Sequence, residues 1–306
     1  MSGHEKTDSG FVLVNALVLV AALAATATFL LFRAETGRMR LEVGQSTVQL
    51  GFYLDGFETL ASTLLQQDRN QTDHPSDSWA TADYNVEVDR GRVSGEISDL
   101  QGLFNINWLA DPSNTAAKAA FERFLVGQNI SPQIGEAIVD FLRNGGPSQR
   151  QPYLRQSPAL DPVGGALLRL AQLADIPAIS SDIFEALDKI ATAIPGDSQL
   201  NINTASRAVL ISFLPTVRSA SLDGVLAQRR IKAFESVEEF KELIEPFLDQ
   251  PLDDILGLDR ISVRTDWFQV DAQAQLGTFE ARRRSVVFRQ SAPFAPVTRW
   301  RQTIYP

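Results

Sequence analysis

Side chains able to do acid–base, nucleophilic or metal chemistry are scarce in this chain. Cysteine is absent, and histidine occurs only at His4 and His74. Thiol nucleophiles and zinc sites built from histidine and cysteine are therefore excluded. His74, in a loop-like stretch, is left alone as a candidate base. No glycine-rich loop ending in lysine is present to cradle a nucleotide phosphate. Asp161 and the group Asp253, Asp254 and Asp259 offer oxygen ligands for a weakly held hard cation. Carboxylate pairs occur, yet no spacing gathers one into a cleft, so no enzyme is expected. Asparagines are more telling. Phe104-Asn105-Ile106-Asn107 and Leu200-Asn201-Ile202-Asn203 repeat one pattern, each ahead of a helical stretch. An asparagine there accepts a hydrogen bond from the first helical turn, and that reading outranks a ligand role.

One more asparagine, Asn15, lies inside an uninterrupted apolar run from Phe11 to Phe32. The run holds no charge and no proline, and its other polar side chains are Thr26 and Thr28. At the rise of a helix, about 22 residues span roughly 33 Å, one bilayer crossing. A polar leader, residues 1–10, precedes it and ends in Gly10. A secretory signal peptide has a shorter apolar core with its small-residue cleavage site behind it. Here the small residue comes first. A plain signal anchor satisfies this segment equally well. The charges, with Lys6 against Glu5 and Asp8 in front and Arg33, Arg38 and Arg40 behind, would by counting alone place the N-terminus outside.

Helical periodicity continues past the apolar run. Val43, Leu50, Leu54, Phe57, Leu60 and Leu64 form a stripe, and no proline appears before Pro75. The pattern predicts one helix of about 55 residues, half in lipid and half amphipathic, whose apolar stripe needs a partner. Gly37, Gly44 and Gly51 fall one heptad apart. They either weaken the helix or let another helix come close. Alternation over Tyr84–Val88, a turn at Arg90-Gly91-Arg92 and Val93, Gly95 and Ile97 predict a hairpin. A second strand pair is predicted from Trp267 to Phe288, turning at Gly277-Thr278. Between them, helices are predicted over 116–126, 131–143, 165–174 and 183–194. The simplest fold is α+β: separated strands join in one antiparallel sheet against the long helix, and a large all-α domain is inserted between them.

This order of features resembles the pseudopilins of type II secretion, and within them the K-type minor pseudopilins (the GspK family). Four stretches carry the resemblance: Gly10-Phe11-Val12-Leu13-Val14-Asn15; the run from Ile97 through Asp99, Gly102, Asn105 and Asn107; Leu200-Asn201-Ile202-Asn203-Thr204-Ala205; and the strand pair from Trp267 to Phe288. The resemblance implies a leader over 1–10, cleaved after Gly10 to leave a methylated Phe11, and a transmembrane helix over 11–32. It also implies a pilin-like domain split between 33–98 and 260–306, with the α-helical insertion over 99–259. At Asn15 most pilins carry a glutamate that pairs with the N-terminal amine of a neighbouring subunit. K-type members lack it, which implies a place at the filament tip with no subunit above. On the residue's own terms, Asn15 is a polar residue tolerated near the membrane surface. The family also binds calcium through a carboxylate-rich segment. Here Asp140 remains of it, with Asp161 beyond, while Arg143, Arg150 and Arg155 bring positive charge. Loss of that site is expected, and no cofactor with it.

The implied function is a tip subunit that initiates pseudopilus assembly for protein export across the outer membrane. Its body would lie in the periplasm, anchored by a single pass in the inner membrane. The implied partners are the I- and J-type minor pseudopilins and the major pseudopilin, with the secretin or a secreted substrate beyond. The stripe Val43–Leu64 is the expected partner-helix face. Residues 201–234 also resemble the helix-hairpin-helix units (SAM-like) of DNA-uptake proteins. Thr216-Val217-Arg218 stands where those carry glycines, and Asp223, Glu235, Glu238, Glu239, Glu242 and Glu245 surround it. Duplex binding needs net positive charge, and the chain carries −9, so no nucleic-acid partner is expected. A membrane-anchored DNA receptor and a signal-anchored periplasmic hydrolase stand as the alternative readings.

Overall fold

A computed structural model describes residues 8–80, 84–256, 258–291 and 293–305. Helix α1 (Asp8–Gln67) runs unbroken for 60 residues, through all three heptad-spaced glycines. Its threonine hydroxyls find acceptors within the helix. Thr26, Thr28, Thr36 and Thr47 each donate to the carbonyl four residues back, at 2.8–2.9 Å. That local bond removes the cost of carrying a hydroxyl into hydrocarbon.

Five strands form one antiparallel sheet: β1 (Tyr84–Val88), β2 (Gly91–Asp99), β7 (Trp267–Leu276), β8 (Phe279–Phe288) and β9 (Val297–Ile304), in that spatial order. Alternation sends Val93 and Ile97 of β2, and Phe268, Val270, Ala272 and Ala274 of β7, to one face. The C-terminal half of α1 lies there, burying Leu50, Leu54, Phe57, Ala61 and Leu65 against them. The N-terminal half of α1 projects beyond the sheet with its apolar side chains bare.

Strand β9 was not predicted. Its pattern carries no apolar face: Thr298, Arg301 and Thr303 meet polar partners on α1 and β8.

The chain leaves the sheet after Asp99 and returns at Trp267. Between lie α2 (Thr115–Gly127), α3 (Pro132–Leu142), α4 (Gln151–Leu154), α5 (Ser181–Asp188), α6 (Arg207–Phe213), α7 (Ser219–Ile231), α8 (Val237–Ile244) and α9 (Leu252–Ile255). They enclose a separate apolar core. Phe104 stands at its centre, stacked on Phe124 (5.2 Å) and Phe213 (5.7 Å) and edge-on to Trp108 (5.4 Å). Two predicted helices fall short. Over 165–174 only a 3₁₀ turn, Leu170–Asp175, forms, because the Asn107 side chain clamps both the N–H and the carbonyl of Leu167. The helix over 183–194 stops at Asp188, and Ala191–Thr192 (β4) instead pairs in parallel with Phe104–Asn105 (β3). A matching pair joins Leu200–Asn201 (β5) to Ile261–Ser262 (β6).

Candidate functional site

The two Asn-Ile-Asn motifs build alike. Asn105 Oδ1 accepts from Asn107 N at 3.1 Å, and Asn201 Oδ1 accepts from Asn203 N at 2.9 Å. The first asparagine of each pair thus does the cap-like work expected of it, Asn105 at a 3₁₀ helix (Ile106–Ala110). The second asparagine of each pair does something else. Asn107 holds Leu167, and Asn203 Oδ1 and Nδ2 hold the N–H and carbonyl of Phe234 at 2.9 and 3.0 Å. These are bolts between distant backbone segments. Helix α6 is capped by Ser206.

At the junction of sheet and helical region lies a polar hub. Asp99, at the end of β2, accepts from Gln101 N (2.6 Å), Asn201 Nδ2 (3.0 Å) and the hydroxyls of Thr204 and Thr265. Burial pushes its carboxyl up to about 6, against the lowering effect of those donors. Arg289, 3% exposed, donates to Asp68 (3.1 Å), to Asp73 and to the Thr265 carbonyl, with its guanidinium 4.9 Å above the Phe268 ring. Asp73 is also raised by burial, and its Oδ1 has no hydrogen-bond partner. Among the described residues, Asp68, Asp73 and Asp77 are the acidic group whose oxygens gather within 4.8 Å. Arg289, Asn70 Nδ2 and His74 N meet their charge. Nothing local in the sequence marks these three: Asp68 and Asp73 take their charge partner, Arg289, from more than 200 residues away, and Asp77 is held by Asn70 and the backbone of His74.

A second polar cluster clasps α1 to the sheet. Glu58, 8% exposed, accepts from Thr298 (2.6 Å) and Ser285 (3.1 Å). Arg283, equally buried, reaches Asp55, Glu58 and Thr303. On the opposite face of the sheet, Arg284 bridges Asp271 and Asp188 of α5, both at 2.9 Å, and ties the helical region to the strands.

The residues expected to serve assembly divide into groups. Gly10, Phe11 and Asn15 fall in the first turns of α1, with Phe11 and Asn15 exposed; residues 1–7 lie outside the described residues. The expected partner-helix stripe needs correction. Leu50, Leu54 and Phe57 are buried in the protein's own sheet and present nothing to a neighbour. Leu64 packs on the same core, while Val43, ahead of the buried run, and Leu60, at its flank, stay exposed. The helical period was right, and an internal partner claimed most of the stripe. On another side of α1, Gly37, Leu41, Gly44, Val48 and Phe52 follow one another at spacings of three and four. Leu41, Val48 and Phe52 are 60–69% exposed, and nothing approaches Gly37 or Gly44 within 4 Å. Gly51, the third heptad glycine, lies beside the Tyr305 hydroxyl, which a Cβ there would meet at an ordinary contact distance of 3.4 Å.

Residues weighed for other chemistry are occupied. His74 is nearly buried; Ser76 N donates to its Nδ1 at 3.2 Å, and burial lowers its pKa. Arg229, on α7, points inward to the carbonyls of Ile202 (2.7 Å) and Ala205 (2.8 Å), and burial lowers it to about 10. Asp253 pairs with Lys241 at 2.7 Å. Asp140 and Asp161 each lie against an arginine.

Among the described residues, one helix is long and apolar enough to cross a membrane, and none of its apolar stretch is covered. Family models for type II secretion system (T2SS) protein K match residues 102–196 and 200–254. Those limits fall close to the two Asn-Ile-Asn units. The chain is 25% identical to the type II secretion system protein K of Pectobacterium carotovorum subsp. carotovorum, over 91% of this chain and 92% of that one. It is likewise 25% identical to that of Klebsiella pneumoniae, over 95% of each. Its fold is similar to a chain in the crystal structure of the GspK-GspI-GspJ complex from the enterotoxigenic Escherichia coli type 2 secretion system, with a TM-score of 0.73, 19% identity, and coverage of 86% of this chain and 99% of that one. With its membrane-length helix, its sheet and its paired helical units accounted for together, the chain belongs to the type II secretion system protein K family, the K-type minor pseudopilins.

Proposed function

We propose that this minor pseudopilin caps the tip of the secretion pseudopilus and starts its assembly, and that it acts by binding rather than by catalysis. It is anchored by α1 in the inner membrane with its body in the periplasm. Its neighbours are the I- and J-type minor pseudopilins and, below them, the major pseudopilin, with secretin or cargo facing the helical region. The observation that carries this reading is the uncovered stripe Gly37, Leu41, Gly44, Val48 and Phe52. An apolar helical stripe outside lipid seeks a partner, and glycines along it allow close helix–helix approach. Asn15 supports the terminal position: its neutral side chain cannot form the ion pair that a glutamate there would offer to the amine of a subunit stacked above. A carboxylate in that place is costly without such a partner. The engagement of His74 and Arg229 within the fold supports a role without catalysis or DNA.

The chain has no cysteine of its own, so single cysteines at Leu41 and Val48 test the stripe cleanly. Both are expected to cross-link to sister subunits in membranes, whereas a cysteine at exposed Asp254 is not. Asn15→Glu is expected to let a further subunit cross-link above. Cross-linking equal at all three cysteines, with Asn15→Glu indistinguishable from the parent, would sink the proposal.

A further inference from the structure

We infer that this chain closes the segment its family ties with calcium by an arginine clasp, and that its helical region is consequently calcium-independent. Calcium requires six to eight oxygens, several of them charged. Between residues 140 and 165 there are two carboxylates, Asp140 and Asp161, against three guanidiniums, Arg143, Arg150 and Arg155. The segment is net positive before any ion arrives.

The two carboxylates are also spent. Asp140 Oδ2 accepts from Ser148 N at 2.9 Å, and its Oδ1 accepts from Ser148 Oγ at 2.8 Å and lies 3.1 Å from Arg143 Nη2. Arg143 Nη1 in turn donates to Ser148 Oγ at 2.6 Å. Arg150 sits between the two loops: Nη1 donates to Asp161 and Nη2 to the Gly145 carbonyl. A planar guanidinium bonding a carboxylate and a carbonyl at once fixes both loops with one positive charge. It gathers here two of the oxygen types a cation would.

The backbone closes the remaining space. Gly146 and Gly164 both have positive φ, +86° and +73°. A Cβ on Gly146 would lie 2.1 Å from the Pro162 carbonyl oxygen, and one on Gly164 would lie 1.7 Å from that of Arg143. The turns therefore nest backbone to backbone, joined by Gly165 N donating to Leu142 O at 2.9 Å. Only glycine permits that approach. The donor set and the spacing do not fit a calcium ion between these loops.

The test uses the full chain in detergent micelles and hydrogen exchange read by mass spectrometry, with calcium chloride or EDTA at millimolar concentration. An ion bound to the native state raises the thermal midpoint by mass action. The expected result is an unchanged midpoint and unchanged exchange over residues 143–150 and 161–165 in both conditions. Arg150→Gln is expected to speed exchange in those two segments several-fold and leave the rest of the helical region protected. Asp161→Asn, at an exposed position, should do the same. Arg150→Lys should restore little, since one ammonium cannot hold both partners in the same geometry. A midpoint raised by calcium in the parent chain would overturn the inference. So would unaltered exchange in both Arg150→Gln and Asp161→Asn. Neither readout depends on assembly, so its failure is distinct from failure of the tip role.

Discussion

Asp99 sits where β2 hands over to the helical region, and its proton is linked to folding. Its carboxyl is held near 6 in the folded protein, against 3.8 ordinarily, because burial outweighs the hydroxyl and amide donors around it. A group with a raised folded pKa contributes stability that is fully present below about 3.8 and is lost as pH rises through about 6. The expected contribution over that window is on the order of 1–2 kcal/mol, discounted for the residue's remaining exposure. Asp99→Asn should flatten the stability–pH curve between about 4 and 6, whichever way it moves stability at neutral pH. Urea melts at several pH values read this, and an unchanged slope would remove Asp99 as the source. At this scale the sequence was partly legible. The paired asparagines announced themselves by repetition. Their second members, bolts onto Leu167 and Phe234, did not, because such a bond spans tens of residues and leaves no local pattern.

Elements were legible where an apolar face wrote their period. Helix α1, the hairpin β1–β2 and the pair β7–β8 all follow from 3.6- or 2-residue repeats, and each bears that face against a core. Strand β9 escaped because its contacts are ionic and hydroxylic. The same fact makes a prediction. Arg283 is 6% exposed and satisfies Asp55 and Glu58 on α1, so Arg283→Ala strands a buried carboxylate and should cost about 3 kcal/mol. Arg301 is over half exposed and stands 3.8 Å from the same acids. Its replacement by alanine should cost less than about 1 kcal/mol. Equal losses in chemical denaturation would mean that the clasp does not hold β9 and α1 together. The partner face of α1 was misplaced for a related reason. Helical periodicity says that a stripe will be covered and leaves open whether by the chain's own sheet or by a neighbour.

For the whole molecule, the question is how a rod in the membrane carries a head that behaves as one body. The sheet and the helical region have separate apolar cores, so apolar packing within each does not join them. Their tie is polar. Arg289, from the chain just past β8, joins the loop after α1 to the carbonyl of Thr265, while Asp99 and Asn201 link that same corner to the second helical unit. Buried arginines of this kind hold several segments at once, and removing one withdraws the positive charge from all of its partners together. Arg289→Leu keeps much of the packing on Phe268 but abandons Asp68 and Asp73, both nearly inaccessible. The parent chain should unfold outside the membrane in a single calorimetric transition. The variant should show two, the sheet melting apart from the helical region. A single transition displaced as a unit would instead assign the coupling to the remaining ties, Asp99 with Asn201 and Arg284 with Asp188. Either way, α1 is coupled to the helical region through a few charged side chains, and the stiffness of that coupling depends on their geometry.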